Sequence, residues 1–142
     1  MKKHLLLVTV ICLLLFCVGC GAQDSSISEY EWYLERAFYV ENEKIVVEAA
    51  NELSSAHPEA KIVEVQLTAQ DGKIVLIDST NKITYEGTYT VLGKNPGGTE
   101  YEITIGDVTG TATVAMTTYS DGSQIPSLPV KLGKYTLQFF AK

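Results

Sequence analysis

Cysteine is scarce in this 142-residue chain: Cys12, Cys17 and Cys20, and none after position 20. The body of the chain therefore cannot hold a disulfide framework, a cysteine redox pair, a thiol nucleophile or a thiolate metal centre. Histidine is as rare, with His4 and His57 alone. Basic residues are outnumbered, 11 Lys plus Arg against 17 Asp plus Glu, for a net charge of −6. A chain with that balance lacks the basic patch needed to neutralise phosphates, which argues against nucleic-acid binding. Gly-x-Ser-x-Gly and His-Glu-x-x-His are both absent. The length excludes a multi-domain enzyme. A charged fraction of 20% beside 46% apolar residues excludes a disordered chain.

The N-terminus reads as an address. Lys2 and Lys3 precede Leu5 to Val18, a run that is apolar except for Thr9. As a helix it spans roughly 21 Å, short of the roughly 30 Å bilayer core and suited to the apolar part of a signal peptide. It ends in Cys17-Val18-Gly19-Cys20-Gly21, which resembles a bacterial lipobox. That resemblance implies cleavage after Gly19 and a diacylglyceryl group, with palmitate-type chains, on the Cys20 thiol. Ordinary secretion with nearby cleavage is the plainer alternative. Two or more acyl chains anchor a protein stably where one does not. The expected organisation is a signal peptide at 1–19, a lipidated N-terminus and flexible tether at 20–29, and one β domain at 30–142. The expected location is the extracytoplasmic face of the cell membrane. Loss of Lys2 and Lys3 leaves 9 basic against 17 acidic residues, a net charge of −8.

From residue 61 onward period-two alternation dominates, the signature of half-buried strands. Val63, Val65, Leu67 and Ala69 share one face, and Ile83, Tyr85, Tyr89 and Val91 another. Tyr101, Ile103 and Ile105 follow, then Ala112, Val114 and Met116, and finally Tyr135, Leu137 and Phe139. Asp71-Gly72 between apolar runs predicts a tight hairpin. Turns are expected at 93–98, 106–110, 120–123 and 133–134. Gly87 marks a possible bulge or bend. Pro126 and Pro129 demote 125–132 to an edge or irregular strand.

Residues 29–58 are ambiguous. Trp32, Leu34, Phe38 and Val40 share a strand face, but Arg36 shares it too. A helix is the competing reading, with Ser28 and Glu31 as a capping box and Tyr30, Tyr33, Leu34, Ala37 and Phe38 at helical spacing. The aromatic content favours a strand. Glu41 to Lys44 turns the chain into Ile45-Val46-Val47. Glu48 to Ala56, rich in helix formers and followed by Pro58, predicts one short helix near 48–56.

The order of Trp32-Tyr33-Leu34, Ile45-Val46-Val47, Glu48 to Leu53, Leu67 to Asp71-Gly72, Tyr85-Glu86-Gly87-Thr88-Tyr89 and Tyr135 to Phe140 resembles small bacterial lipoproteins with a lipocalin-like domain. The resemblance implies a mainly β fold, an antiparallel meander closing into a small up-and-down barrel, with an internal apolar cavity as an option. It implies no particular ligand.

Chemistry-bearing groups are few. His57 lies beside Pro58 in a polar stretch and reads as solvated surface. Glu100 and Glu102 share a strand face, and Glu64 and Glu86 lie on polar faces of other strands, as exposed sheet carboxylates do. Asp71-Gly72 and Asp121-Gly122 lack the Asp-x-Asp-x-Asp spacing of a calcium loop. The glycines of 93–99 lack the Gly-Lys-Ser/Thr of a phosphate loop. Tyr85, Tyr89, Tyr101 and Tyr135 fall on predicted apolar faces, so they either pack the core or line a ligand cavity.

The expectation is a non-enzymatic binding module for a small apolar or amphipathic ligand, with no metal and no cofactor, held at the membrane through Cys20. The alternative is a surface interaction protein with a filled core, such as an inhibitor or an envelope accessory factor. A hydrolase would need His57 or two carboxylates within reach of a nucleophile.

Overall fold

A computed structural model of the chain describes residues 26–142. The signal segment at 1–19, Cys20 and most of the expected tether lie outside the described residues. Ten strands follow a 3-10 turn at Ile27–Glu29: β1 (Trp32–Glu41), β2 (Lys44–Ala50), β3 (Lys61–Ile62), β4 (Val65–Gln70), β5 (Lys73–Asp78), β6 (Ile83–Asn95), β7 (Gly98–Ile105), β8 (Val108–Thr118), β9 (Gln124–Leu132) and β10 (Tyr135–Ala141). From β4 to β10 each strand pairs antiparallel with the next, and β1 pairs with both β4 and β10. Eight strands thus close an antiparallel barrel, and the ladder is complete within residues 32–141.

β1 carries the closure. One edge runs along β10 from Trp32↔Ala141 to Phe38↔Thr136. On its other edge, the start of β1 pairs with β4 through Trp32↔Leu67 and Tyr33↔Gln66. Its later half pairs with β2 from Arg36↔Ala50 to Glu41↔Lys44. A register shift between Leu34 and Arg36 resets the alternation. After it Ala37, opposite Leu137, faces inward, and Arg36 and Phe38 face outward together, the Arg36 guanidinium 5.4 Å from the Phe38 ring centre. The face shared by Trp32, Leu34, Phe38 and Val40 is therefore corrected. A bulge adds one residue and sends every later side chain to the opposite face.

The short helix expected near 48–56 is replaced by strand and turns. Lys44–Ala50 is extended, and residues 51–60 are turns with an isolated bridge between Ser54 and His57. β4 begins only at Val65, so the second half of β1 would otherwise present unpaired amides. Pairing them outweighs the modest helix propensity of Glu48, Ala49 and Ala50. Of the two readings of 125–132, the edge placement is corrected: β9 lies inside the barrel wall between β8 and β10, and it is irregular, its pairing to β8 lapsing opposite Thr113 and Val114, beside Pro129. The loop expected at 93–98 contracts to a turn at Pro96-Gly97, because β6 continues to Asn95.

The two ends differ. The end bearing the Asp71-Gly72 turn is sealed by the N-terminal residues. Ser26 caps the 3-10 turn in a capping box with Glu29, a pair two residues upstream of the expected Ser28 and Glu31. Ile27 is fully buried in the barrel end; its N–H donates to the Tyr101 hydroxyl (3.2 Å) and its carbonyl accepts from Trp32 Nε1 (2.8 Å). Residues 26–29 thus belong to the packed unit, which shortens the tether expected at 20–29. Beneath this plug Trp32, Leu67, Ile74, Ile103, Leu128, Val130 and Phe139 are essentially inaccessible and fill the barrel half nearest it.

Gly87 sits in a regular pairing between Ile74 and Ile105, not at a bulge. A Cβ there would run into the Thr104 carbonyl oxygen and stand 3.1 Å from Ile105 Cα. Gly87→Ala is expected to cost about 1–3 kcal/mol, since backbone must move, read as a lower urea midpoint. At the β1–β2 turn, Asn42 and Glu43 both take positive φ, 49° and 64°. Glu43→Gly is expected to raise stability by roughly 0.5–1 kcal/mol, seen as a higher melting temperature, because the left-handed backbone strains a side chain there.

Candidate functional site

At the end opposite the plug the interior is open. The walls there are the ends of β5, β7 and β9 and the starts of β6, β8 and β10, so each contributes its last or first inward residue. Leu76, Ile105, Val108, Leu132 and Leu137 line a recess of about 450 Å³, with Tyr85 and Tyr135 on its wall and the Gly133-Lys134 turn at its rim. That volume lies in the range of small-molecule sites, roughly 300–1,000 Å³. Most of these side chains are aliphatic, so the surface offers dispersion and dehydration with few hydrogen bonds.

The two ends of the interior differ in bulk. Toward the plug it holds Trp32, Phe139 and Tyr101, and toward the mouth the aliphatic Leu76, Ile105, Leu132 and Leu137.

The four tyrosines expected to serve one site divide into two pairs. Tyr101 is 2% exposed and its hydroxyl holds the plug, with Tyr89 packed edge-on at 5.7 Å. These two act in the filled half. Tyr85, 44% exposed, and Tyr135 line the recess. Tyr135 meets Tyr39 edge-on, ring centres 5.7 Å apart at 87°. Lys134 lies across both: its ammonium is 3.9 Å from the Tyr39 ring centre and 5.0 Å from that of Tyr135. Burial of the ammonium pulls its pKa down. A hydrogen bond to Tyr135 and the charges of Tyr135, Tyr39 and Glu48 outweigh that and leave the pKa above the ordinary lysine value. Lys134 is therefore charged at neutral pH.

Sequence reasoning passed over Lys134 and Tyr39. Gly133-Lys134 read only as a turn, and Tyr39 lay in the stretch whose facing the bulge inverted. A lysine flanked by tyrosine at a predicted turn was the available signal.

The other candidates stand apart from the recess. His57 is half-buried in the 51–60 segment; its amide donates to the Ser54 carbonyl and its own carbonyl accepts from the Ala60 amide. Glu100 and Glu102 flank inward Tyr101 and so face outward from β7, opposite Thr113 and Thr111. Glu86 is exposed on β6, and the Glu64 amide donates to Thr80 Oγ1. Asp121 accepts from the amide and hydroxyl of Ser123, a turn contact that holds its carboxyl below the usual range. Among the described residues no three His, Cys, Asp or Glu side chains come together to hold a metal ion.

The division of the tyrosines has a direct consequence. Tyr101→Phe leaves the buried Ile27 N–H unpaired and is expected to cost about 1–3 kcal/mol in urea unfolding. Tyr85→Phe, at the exposed mouth, is expected to stay within about 0.5 kcal/mol of the parent. Compared with protein-family profiles, with curated proteins and with solved structures, the chain matches none.

Proposed function

We propose that this protein is a lipid-anchored, extracytoplasmic binding module that takes a small apolar or amphipathic ligand at its barrel mouth and performs no chemistry on it. The observation that carries the reading is the recess of about 450 Å³, walled by aliphatic side chains and two tyrosines above a filled barrel half. A solvent-exposed apolar concavity of this size stays in water at a free-energy cost that a ligand relieves.

The anchor rests on the lipobox-like Cys17-Val18-Gly19-Cys20. Six residues separate Cys20 from Ile27, so at about 3.5 Å each the plugged end stands within roughly 25 Å of the lipid. The mouth then opens away from the membrane. Its location favours a ligand or donor arriving from the extracytoplasmic space over one drawn directly from the bilayer beneath.

A second reading, a surface interaction protein, draws support from Val91, Leu92, Met116 and Tyr119. All four are exposed on the β6–β7 and β8–β9 hairpins, near the 93–99 and 120–129 segments.

Native mass spectrometry separates the two. The chain from Gly21 to Lys142, shed from native membranes and made in a second host, is expected to carry a reproducible added mass that denaturation releases. A bare mass in both preparations overturns the binding reading in favour of the interaction protein. Cys20→Ser is expected to move the protein out of the membrane fraction; continued membrane retention refutes the lipid anchor.

A further inference from the structure

We infer that the ligand is an amphiphile with an anionic group, its apolar part in the recess and its charge on Lys134. The inference rests on the binding reading above and names the ligand class for that site.

Of the residues lining the recess, Lys134 alone is charged. Its position is constrained. Gly133, at φ +57°, turns the chain between β9 and β10, and the paired rings of Tyr39 and Tyr135 hold the ammonium at 3.9 and 5.0 Å. A lysine held over two rings loses less side-chain freedom when it meets a ligand than one extended in water. The rings also leave part of the ammonium's hydrogen-bonding capacity to be met from the solvent side, where a carboxylate or phosphate would sit.

The charge around it does not forbid an anion. The mature chain is acidic, but at physiological salt its distant carboxylates are screened beyond about 8 Å. Glu48, on β2, is the carboxylate that acts on Lys134, and Tyr39 and Tyr135 are the other titratable groups at the cation. Among the described residues no carboxylate stands within 4 Å of the Lys134 ammonium, so no close ion pair neutralises it. A neutral apolar ligand would leave this cation unused, and a cationic one would meet it directly.

Two probes of equal chain length test the assignment, dodecanoate and dodecyltrimethylammonium, each below its micelle concentration and titrated calorimetrically into the 21–142 chain. The ladder closes within residues 32–141, so this chain retains the whole barrel. Dodecanoate is expected to bind about tenfold or more tightly than the cation, as a charge-assisted contact requires. Lys134→Met, which keeps the stem, is expected to bring the two probes within about threefold of each other while both still bind, and Lys134→Arg to restore the preference. A preference that survives Lys134→Met, or no preference in the parent, overturns the headgroup assignment and leaves the recess reading standing. Failure of both probes to bind the parent overturns both readings. Phosphatidylglycerol vesicles carry the same chemistry in a bilayer: flotation that depends on Lys134 assigns the site to a lipid headgroup, and dodecanoate binding without flotation assigns it to a free amphiphile.

Discussion

The pairing of β1 with β10 is the contact on which the rest of the molecule depends. Six residue pairs, from Trp32↔Ala141 to Phe38↔Thr136, join the first and last parts of the folded chain. Without them the sheet would open at two edges, each a row of unsatisfied amides and carbonyls. With them Trp32 and Phe139 come to rest in one interior, and both are fully buried. The closure also accounts for β2. One edge of β1 is taken by β10, and β4 reaches only the start of the other, so β2 covers what remains.

A barrel closed this way has two ends, and the chain treats them differently. At one, Ile27 is inserted and its backbone is satisfied by Tyr101 and Trp32. Buried amides are costly when unpaired, so this pair of bonds permits irregular chain to seal the barrel. At the other, four turns surround an opening with no such insert among the described residues. The interior near them is lined by aliphatic side chains and by Tyr85 and Tyr135. The filled half holds the core, and the open half leaves an apolar recess at the mouth.

Much of the wall was legible in the residues. Alternation placed Val65, Leu67 and Ala69 of β4, Tyr101, Ile103 and Ile105 of β7, Ala112 and Val114 of β8 and Phe139 of β10 on the buried face, because one side of each strand faces a core and the other water. Val91 and Met116, assigned to the same kind of face, are instead exposed near the strand ends. Asp71-Gly72 marked its hairpin through the left-handed backbone both residues adopt, at φ 50° and 77°. The failures share a cause. The helix expected at 48–56, the edge placement offered as one of two readings of 125–132 and the face assigned to Phe38 were inferred from local composition. Each was overridden by strand pairing: by the preceding strand β1 for Glu48 to Ala50, by the flanking strands β8 and β10 for Pro126 and Pro129, and by the distant β1–β10 register for Phe38. Of the site, Tyr85 and Tyr135 were visible as apolar-face tyrosines, and Lys134 was not, since a turn lysine is ordinarily solvated.

By itself the sequence determined the class of this protein: a single acidic β domain with no cysteine chemistry after residue 20, preceded by a segment resembling a lipoprotein signal. Composition and periodicity are local properties, and they suffice for that. Only the tertiary structure decided that Tyr89 and Tyr101 belong to the packed half while Tyr85 and Tyr135 border the recess, and that Lys134 rests on Tyr39 and Tyr135 at its rim. All four tyrosines carry the same inward alternation. Their depth along the barrel depends on the register of strands far apart in sequence, and no local pattern encodes that register.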